Sequence, residues 1–263
     1  MKRWGFSCPL EIKTKMSKKI TIIILLITCM LFIGCKNSKT GGLSNMKDIK
    51  LEDINLEWLG HAAVRITAEN RTIYIDPYQI DAIQKADLIL ITHGHYDHCS
   101  IADIKKIVKN GTIVIATSDC ISQLRKVENI SIKIVSPNKD VKIANMPWLS
   151  ISTVPAYNIA KMFHSKDNEW VGYVLDIKGH KIYHAGDTDF IPEMREIKDI
   201  DVAFLPVGGT YTMNAEEAAE AASVMMPKIA VPIHYGAIVG SEKDAQKFKE
   251  LCKCKVEILE KVN

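Results

Sequence analysis

The chain has 263 residues, of which 47% are hydrophobic and 25% charged, with a formal net charge of +3. That composition is globular, and the length suffices for one large core or two half-domains around one core. Seven scattered cysteines make no dense disulfide framework, and no basic patch or aromatic platform points to nucleic acid.

The amino terminus stands apart. Residues 20–34 form a nearly continuous apolar run of 15, preceded by Lys18-Lys19. The run is short for a spanning helix and has the basic start and apolar middle of a secretory signal. It ends Leu31-Phe32-Ile33-Gly34-Cys35, which resembles a bacterial lipoprotein signal. The resemblance implies cleavage before Cys35, lipid on its thiol, and an extracytoplasmic domain held to the cell membrane by that anchor. Phe32 departs from the residue such signals prefer three before the cysteine. An uncleaved anchor and a plain secretion signal are the alternatives. Met16 is a more ordinary start than Met1. Without residues 1–35, which hold six Lys/Arg and one acid, 28 basic and 30 acidic side chains remain, a net of −2. The positive charge therefore belongs to the targeting segment. Residues 36–53 are polar, with Gly41-Gly42, and read as a tether; residues 54–263 read as the folded domain.

The domain is expected to open with a strand at 55–59 and a hairpin of 63–67 with 71–75, turned at Glu69-Asn70. Asp76-Pro77 ends that second strand. An apolar strand, 86–91, precedes a helix at 100–110 with Ser100 as N-cap and Gly111 as stop. A strand at 112–116, a helix at 118–127 and strands at 131–135, 141–144 and 149–154 follow. After the long loop 155–169 comes a hairpin of 170–177 with 181–185, turned at Lys178-Gly179. A buried strand ends at Pro206. The capping box of Asn214 with Glu217 opens a helix at 215–226. A strand at 230–233, a helix after Ser241 and a strand at 255–259 complete the pattern. Strands followed by strand–helix alternation, twice over, predict two packed sheets with helices outside.

Chemistry concentrates in Thr92-His93-Gly94-His95-Tyr96-Asp97-His98. Three imidazoles and a carboxylate follow a buried strand, where α/β folds place their sites. Imidazole and carboxylate suit zinc and its neighbours in the metal series. His93 and His95, two apart, face the same way at an extended strand end. His164, Asp187 and His234 each lie just beyond a predicted strand, which puts them on the same rim.

His-x-His-x-Asp-His is the signature of the metallo-β-lactamase superfamily, and the chain resembles it from about residue 54 to 260. The resemblance implies an αββα sandwich. It also implies that His93, His95 and His164 hold one divalent ion, that Asp97, His98 and His234 hold a second, and that Asp187 bridges them. Zinc is the first expectation for the two ions; manganese or iron fit the same donors. Leu59-Gly60-His61-Ala62, Ile73-Tyr74-Ile75-Asp76-Pro77, Tyr183-His184-Ala185-Gly186-Asp187 and Leu205-Pro206-Val207-Gly208-Gly209-Thr210-Tyr211 look like the metal-dependent hydrolase branch that includes ascorbate-6-phosphate lactonases. In that branch His61 looks like a neighbour of the active site, and a core or edge histidine is the other reading.

The reaction so implied is hydrolysis of a small-molecule ester, lactone or phosphodiester by a hydroxide shared between the metals. Asp97 is expected to hold its metal and to orient the hydroxide or shuttle its proton, with His61 beside it. Gly208-Gly209-Thr210 reads either as a turn that holds an anionic oxygen or as a tight turn passing close to the metals. Tyr157, Tyr211 and Tyr235 are expected at the mouth of the cleft. His184 faces away from the metals and His180 sits at an exposed turn. Cys99 is a buried filler; Cys252-x-Cys254 is a weak metal signal. A lipid-anchored metal-binding module without turnover and a diiron redox protein on the same ligands are the competing readings.

Overall fold

Two seven-stranded sheets follow one another along the chain, built by the same order of pairings. The structure is a computed structural model describing residues 46–81 and 84–262. Cys35, the signal-like segment and most of the expected tether lie outside the described residues. The first sheet runs β1 (Asp48–Leu51), β2 (Ile54–Gly60), β3 (Ala63–Ala68), β4 (Arg71–Ile75), β5 (Leu88–Leu90), β6 (Thr112–Ala116) and β7 (Ile130–Ile134). Its first three pairings are antiparallel and its last three parallel. The second sheet runs β8 (Asp140–Lys142), β9 (Leu149–Pro155), β10 (Val171–Ile177), β11 (His180–His184), β12 (Val202–Pro206), β13 (Ile229–Ile233) and β14 (Lys255–Val256). It too has three antiparallel pairings followed by three parallel ones.

Parallel strands need crossovers. Helices α1 (Ile101–Ile107) and α2 (Ile121–Leu124) supply the last two in the first sheet, and α3 (Ala215–Met225) and α4 (Glu242–Leu251) the last two in the second. Side chains of one strand alternate between layers. Ile73 and Ile75 join the core shared with the second sheet, while Tyr74 packs with Ile104 and Leu124 of the first sheet's helices. Ala218, Ala222 and Phe248 of α3 and α4 close the other side. The result is the αββα sandwich.

Local chemistry sets the joints. Glu69 and Asn70 both take positive φ, 49° and 55°, as a two-residue hairpin turn requires. Ser100 accepts a hydrogen bond from the Asp103 amide at the start of α1, and Asn214 with Glu217 forms the capping box of α3.

Four element boundaries differ from expectation. Strand β1 lies inside the stretch read as tether; its charged residues hide a short edge strand that buries Ile49 against the core. Helix α1 ends at Ile107, before Gly111, because Val108 turns to extended backbone. The expected helix at 118–127 is a 3-10 turn at Ser118–Cys120 followed by the single turn α2. The last strand stops at Val256, and Leu259 instead bridges to Met46.

For the site, the decisive feature is direction. The carboxyl ends of β4, β5, β11 and β13 deliver Asp76, the 92–98 segment, Asp187 and His234 to one rim. In α/β sheets that is where ligand sites form.

Candidate metal centre

Two donor groups converge on this rim. In one, the facing atoms of His93, His95 and His164 all lie within 4.8 Å of one another; in the other, so do those of His61, Asp97, His98 and His234. His93 Nε2 and His95 Nδ1 stand 3.0 Å apart. Two nitrogens on one tetrahedral zinc ion would stand roughly 3.3 Å apart, given bonds of about 2.0–2.1 Å, so this spacing matches shared ligation. Asp187 lies between the groups. Its Oδ2 is 4.0 Å from His93 Nε2, 3.7 Å from His164 Nε2 and 3.1 Å from His234 Nε2, and its Oδ1 is 3.3 Å from His98 Nε2. All seven residues expected from the sequence meet here, though 141 positions separate His93 from His234.

The donors fit cations. His98 Nε2, Asp187 Oδ1 and His234 Nε2 are buried without a hydrogen-bond partner. Such atoms are costly to bury, and here they face one another across the site. Burial holds His164 down to about 4 and His93 well below the ordinary imidazole value. Both rings are therefore neutral at pH 7, with a lone pair to offer. Burial also disfavours charge on His98, but Asp187 and Asp76 outweigh it and raise its pKa well above the usual value. A site that favours a proton at His98 Nε2 this strongly favours any cation there. Burial opposes charge on Asp187 as well, yet His234 and His98 hold its carboxyl well below the normal range.

The backbone is bent to build this arrangement. His61, Asp76, His164 and His234 all have positive φ, between 45° and 59°. Non-glycine residues seldom adopt that conformation, and it gathers at functional sites.

Three supports behind the donors were not singled out as site residues from the sequence. Asp76, fully buried, accepts hydrogen bonds from the Thr92 amide at 2.8 Å, the Thr92 hydroxyl at 2.7 Å and His98 Nδ1 at 2.8 Å. It fixes the His98 tautomer and aims Nε2 into the site, the usual carboxylate–histidine–metal arrangement. Its signal was Asp-Pro at the end of the strand beside the cluster strand. Trp170 packs against His93, His95 and His164, with ring centroids 4.5–5.3 Å apart, and donates from Nε1 to Asp119 Oδ2 at 2.8 Å. The Gly94 amide donates to the same oxygen. A Cβ on Gly94 would stand 2.6 Å from it, so any side chain there would displace the Asp119 carboxylate. No local pattern marks Trp170 or Asp119.

His61 donates from Nε2 to Asp97 Oδ2 at 3.0 Å, and its ring lies 3.9 Å from that of His234. Burial disfavours charge on Asp97, but this bond and nearby His98 hold its carboxyl down to about 2. The hydrogen bond from His61 fixes the Asp97 carboxylate in place on the rim.

Other expected contacts divide. Tyr211 lines the open cleft above the donors. The Gly209 amide donates to Met213 O and the Thr210 amide to Gly208 O, so neither is aimed at a ligand. A Cβ on Gly208 would stand 2.5 Å from His234 O. The segment is thus a tight turn that lets His234 close in and that uses the Gly209 and Thr210 amides within itself. Tyr157 is bonded to Glu193, away from the cleft, and Tyr235 stacks on Trp58 beside a separate cavity. His184 donates from Nε2 to Ala62 O and so braces the turn that carries His61. His180 is half-buried near Asp201, not fully exposed. Cys99 is buried beside Cys120 and belongs to neither donor group. Cys252 and Cys254 lie 3.1 Å apart at their sulfurs, past the end of α4.

Comparison with known proteins agrees with this geometry. The family described as Beta-lactamase superfamily domain matches residues 55–234. A UPF0173 metal-dependent hydrolase of Thermococcus onnurineus is 35% identical over 225 residues, 78% of this chain and 95% of that protein. One from Thermoplasma acidophilum is 32% identical over 212 residues, 76% and 92% of the two chains. A crystal structure from Parabacteroides distasonis, assigned to the metal-dependent hydrolases, superposes with a TM-score of 0.73 at 31% identity, covering 83% of this chain and all of that one. By sequence, fold and the residues gathered on its rim, this chain belongs to the metallo-β-lactamase superfamily and, within it, to the UPF0173 metal-dependent hydrolases.

Proposed function

We propose that this protein is a hydrolase working with two divalent ions, zinc first, and acting on a small-molecule ester, lactone or phosphodiester. His93, His95 and His164 would hold one ion, Asp97, His98 and His234 the other, with Asp187 shared. The observation that carries the reading is the position of Asp187, whose two oxygens lie 3.1–4.0 Å from His98, His234, His164 and His93. A single carboxylate facing both histidine groups supplies the negative charge that neutral imidazoles lack. When bound, the ions supply Lewis acidity and an attacking water acidified to near neutrality.

The chain's own residues do the rest. Asp76 holds His98 in one tautomer. His61 holds Asp97, and acts as a positioning residue through it. Trp170 walls off one side of the three-histidine group and keeps water from its far face. Asp97 and Asp187 open onto the cleft, where a substrate would meet them.

Metal analysis of protein purified without added metal, followed by a panel of lactones, esters, phosphodiesters and β-lactams, tests the proposal. Two metal equivalents with turnover of one class are expected. Tight metal without turnover on any of them would instead support a binding module, and iron with a visible absorption band a redox protein. We further infer from the sequence that Cys35 carries a lipid and that the domain works outside the cytoplasm. Fatty-acid labelling that is absent, or that survives Cys35→Ala, would overturn that inference.

A further inference from the structure

We infer that the substrate is an uncharged ester or lactone bearing an alkyl or aryl group, and that this group lies against Phe163, Tyr211 and Ile238. The inference rests on the hydrolase reading above and narrows it.

The cleft over the donors encloses 290 Å³, the small end of the range for ligand sites. Its floor is made of candidate ligands. Its walls are Tyr96, Phe163, Tyr211 and Ile238. Phe163 meets Tyr211 edge to face, with centroids 4.9 Å apart, and the pair forms one apolar wall. Tyr96 is 64% exposed, Phe163 48% and Ile238 38%. Large side chains left open beside a polar centre mark a surface that a ligand covers. Covering them removes apolar area from water.

Charge points the same way. Among the described residues, no lysine or arginine lines the cleft. A phosphorylated or carboxylated substrate needs a cation or a set of free amides for its second anionic group, usually an arginine fork or a lysine. Lys161, on the loop that carries Phe163 and His164, is bonded to Asp189 and to Thr212 O and lies 3.9 Å from Glu217. It is neutralised where it stands. The amides of Gly209 and Thr210 are used within their own turn. The two ions would answer charge developing at the reacting centre, which leaves nothing for a remote anion. The cleft therefore takes a neutral body and excludes the phosphorylated lactones of the branch that the sequence resembles.

The test uses full-length zinc-loaded protein and γ-lactones with alkyl tails from methyl to heptyl, beside a phosphorylated lactone and bis(p-nitrophenyl) phosphate. Expected is a rise in kcat/KM of about threefold per methylene until the tail fills the cleft. Phe163→Ala and Ile238→Ala should each lower kcat/KM for the heptyl lactone by about tenfold and flatten the slope. Ile132→Ala, exposed on the edge strand β7 and outside the cleft lining, should change neither. A flat slope, or preference for the phosphorylated lactone or the phosphodiester, overturns the inference and leaves the hydrolase reading intact. If no substrate turns over, the hydrolase reading fails, and calorimetry with 2-alkylcyclopentanones decides the cleft. Affinity rising with tail length and lost in Phe163→Ala upholds it; affinity independent of tail length overturns it.

Discussion

The two sheets have the same order of pairings, yet they load the rim differently. Matching positions make the contrast clear. Between the second and third strands of each sheet lie His61 and His164; beyond the fourth strands lie Asp76 and Asp187; beyond the sixth lie Asp119 and His234. In every pair the second-sheet residue is a candidate ligand that faces the open site. The first-sheet residue stands one layer back and holds something: His61 holds Asp97, Asp76 holds His98, and Asp119 holds the Gly94 amide. Only beyond the fifth strands is the weighting reversed. There the first sheet delivers His93, His95, Asp97 and His98 together, and the second has Gly208, whose bare Cα lets His234 approach. A compact ligand loop needs props, and the first sheet supplies them from its other strand ends. Ligands scattered one per loop can be held by the sheet itself.

The largest effect should come from the residue that faces both groups. Asp187→Ala should lower hydrolysis by at least about a hundredfold, roughly 3 kcal/mol in the barrier, and elemental analysis should show both metals depleted. Asp187→Asn keeps the shape and should lose less. His95→Ala should remove one metal equivalent and leave the other. Two metals retained in Asp187→Ala would break the contrast between facing and holding residues.

Its mirror in the first sheet comes next. Asp76→Ala should weaken metal binding by about 10–100-fold without touching the metal. It also strands the buried Thr92 amide and His98 Nδ1, which costs about 1–3 kcal/mol for a group left unpaired, visible as a lower urea midpoint. An unchanged metal titration would mean that His98 needs no prop.

The pair of His61 and His164 sharpens the same point. His164→Ala should cost more activity than His61→Ala, for which about tenfold is expected, since removing one hydrogen bond to a charged group is worth roughly 1.5–3 kcal/mol at most. His61→Gln can still donate to Asp97 and should recover part of that loss. Equal loss for Ala and Gln at position 61, with a metal equivalent missing, would show His61 to be a ligand.

Acidity acts on both halves at once. His61, His93, His95, His164 and His184 all have pKa values lowered by burial, His164 to about 4. Below the ordinary imidazole value of about 6.5 the unfolded chain binds protons that these folded rings refuse. Their contribution is therefore present above that pH and lost as pH falls toward 4. His98, raised by its two carboxylates, is protonated in the folded chain throughout this range, so its contribution is complete below about 6.5 and does not oppose the fall. Metal-free protein should show a falling urea midpoint from pH 7 to pH 4. A midpoint that rises over this range would contradict the lowered values of these five rings. The smallest effect belongs to Cys99→Ser, which should leave metal content unchanged and cost about 1 kcal/mol for a buried hydroxyl.

Much of this molecule was legible in the order of its residues. Alternating and continuous apolar runs marked most strands, because a strand's burial is written two residues at a time. Glu69-Asn70 and Lys178-Gly179 marked the hairpins through their tolerance of positive φ, and Ser100, Asn214 and Ser241 marked helix starts through local hydrogen bonds. The 93–98 segment announced its chemistry because four donors lie within six residues. What tertiary structure alone decided is which groups stand behind them. Asp76, Asp119 and Trp170 lie beside different strands; Asp-Pro marked a strand end at Asp76, but the neighbours of the three do not show what they hold. The same holds for Gly208: the sequence allowed an anion cradle or a close-packed turn, and only the fold shows the close approach of His234 across the sheet. Ligands are selected for their own chemistry and can be read singly. Supports are selected for a distance to something else, and a distance between remote residues exists only once the chain has folded.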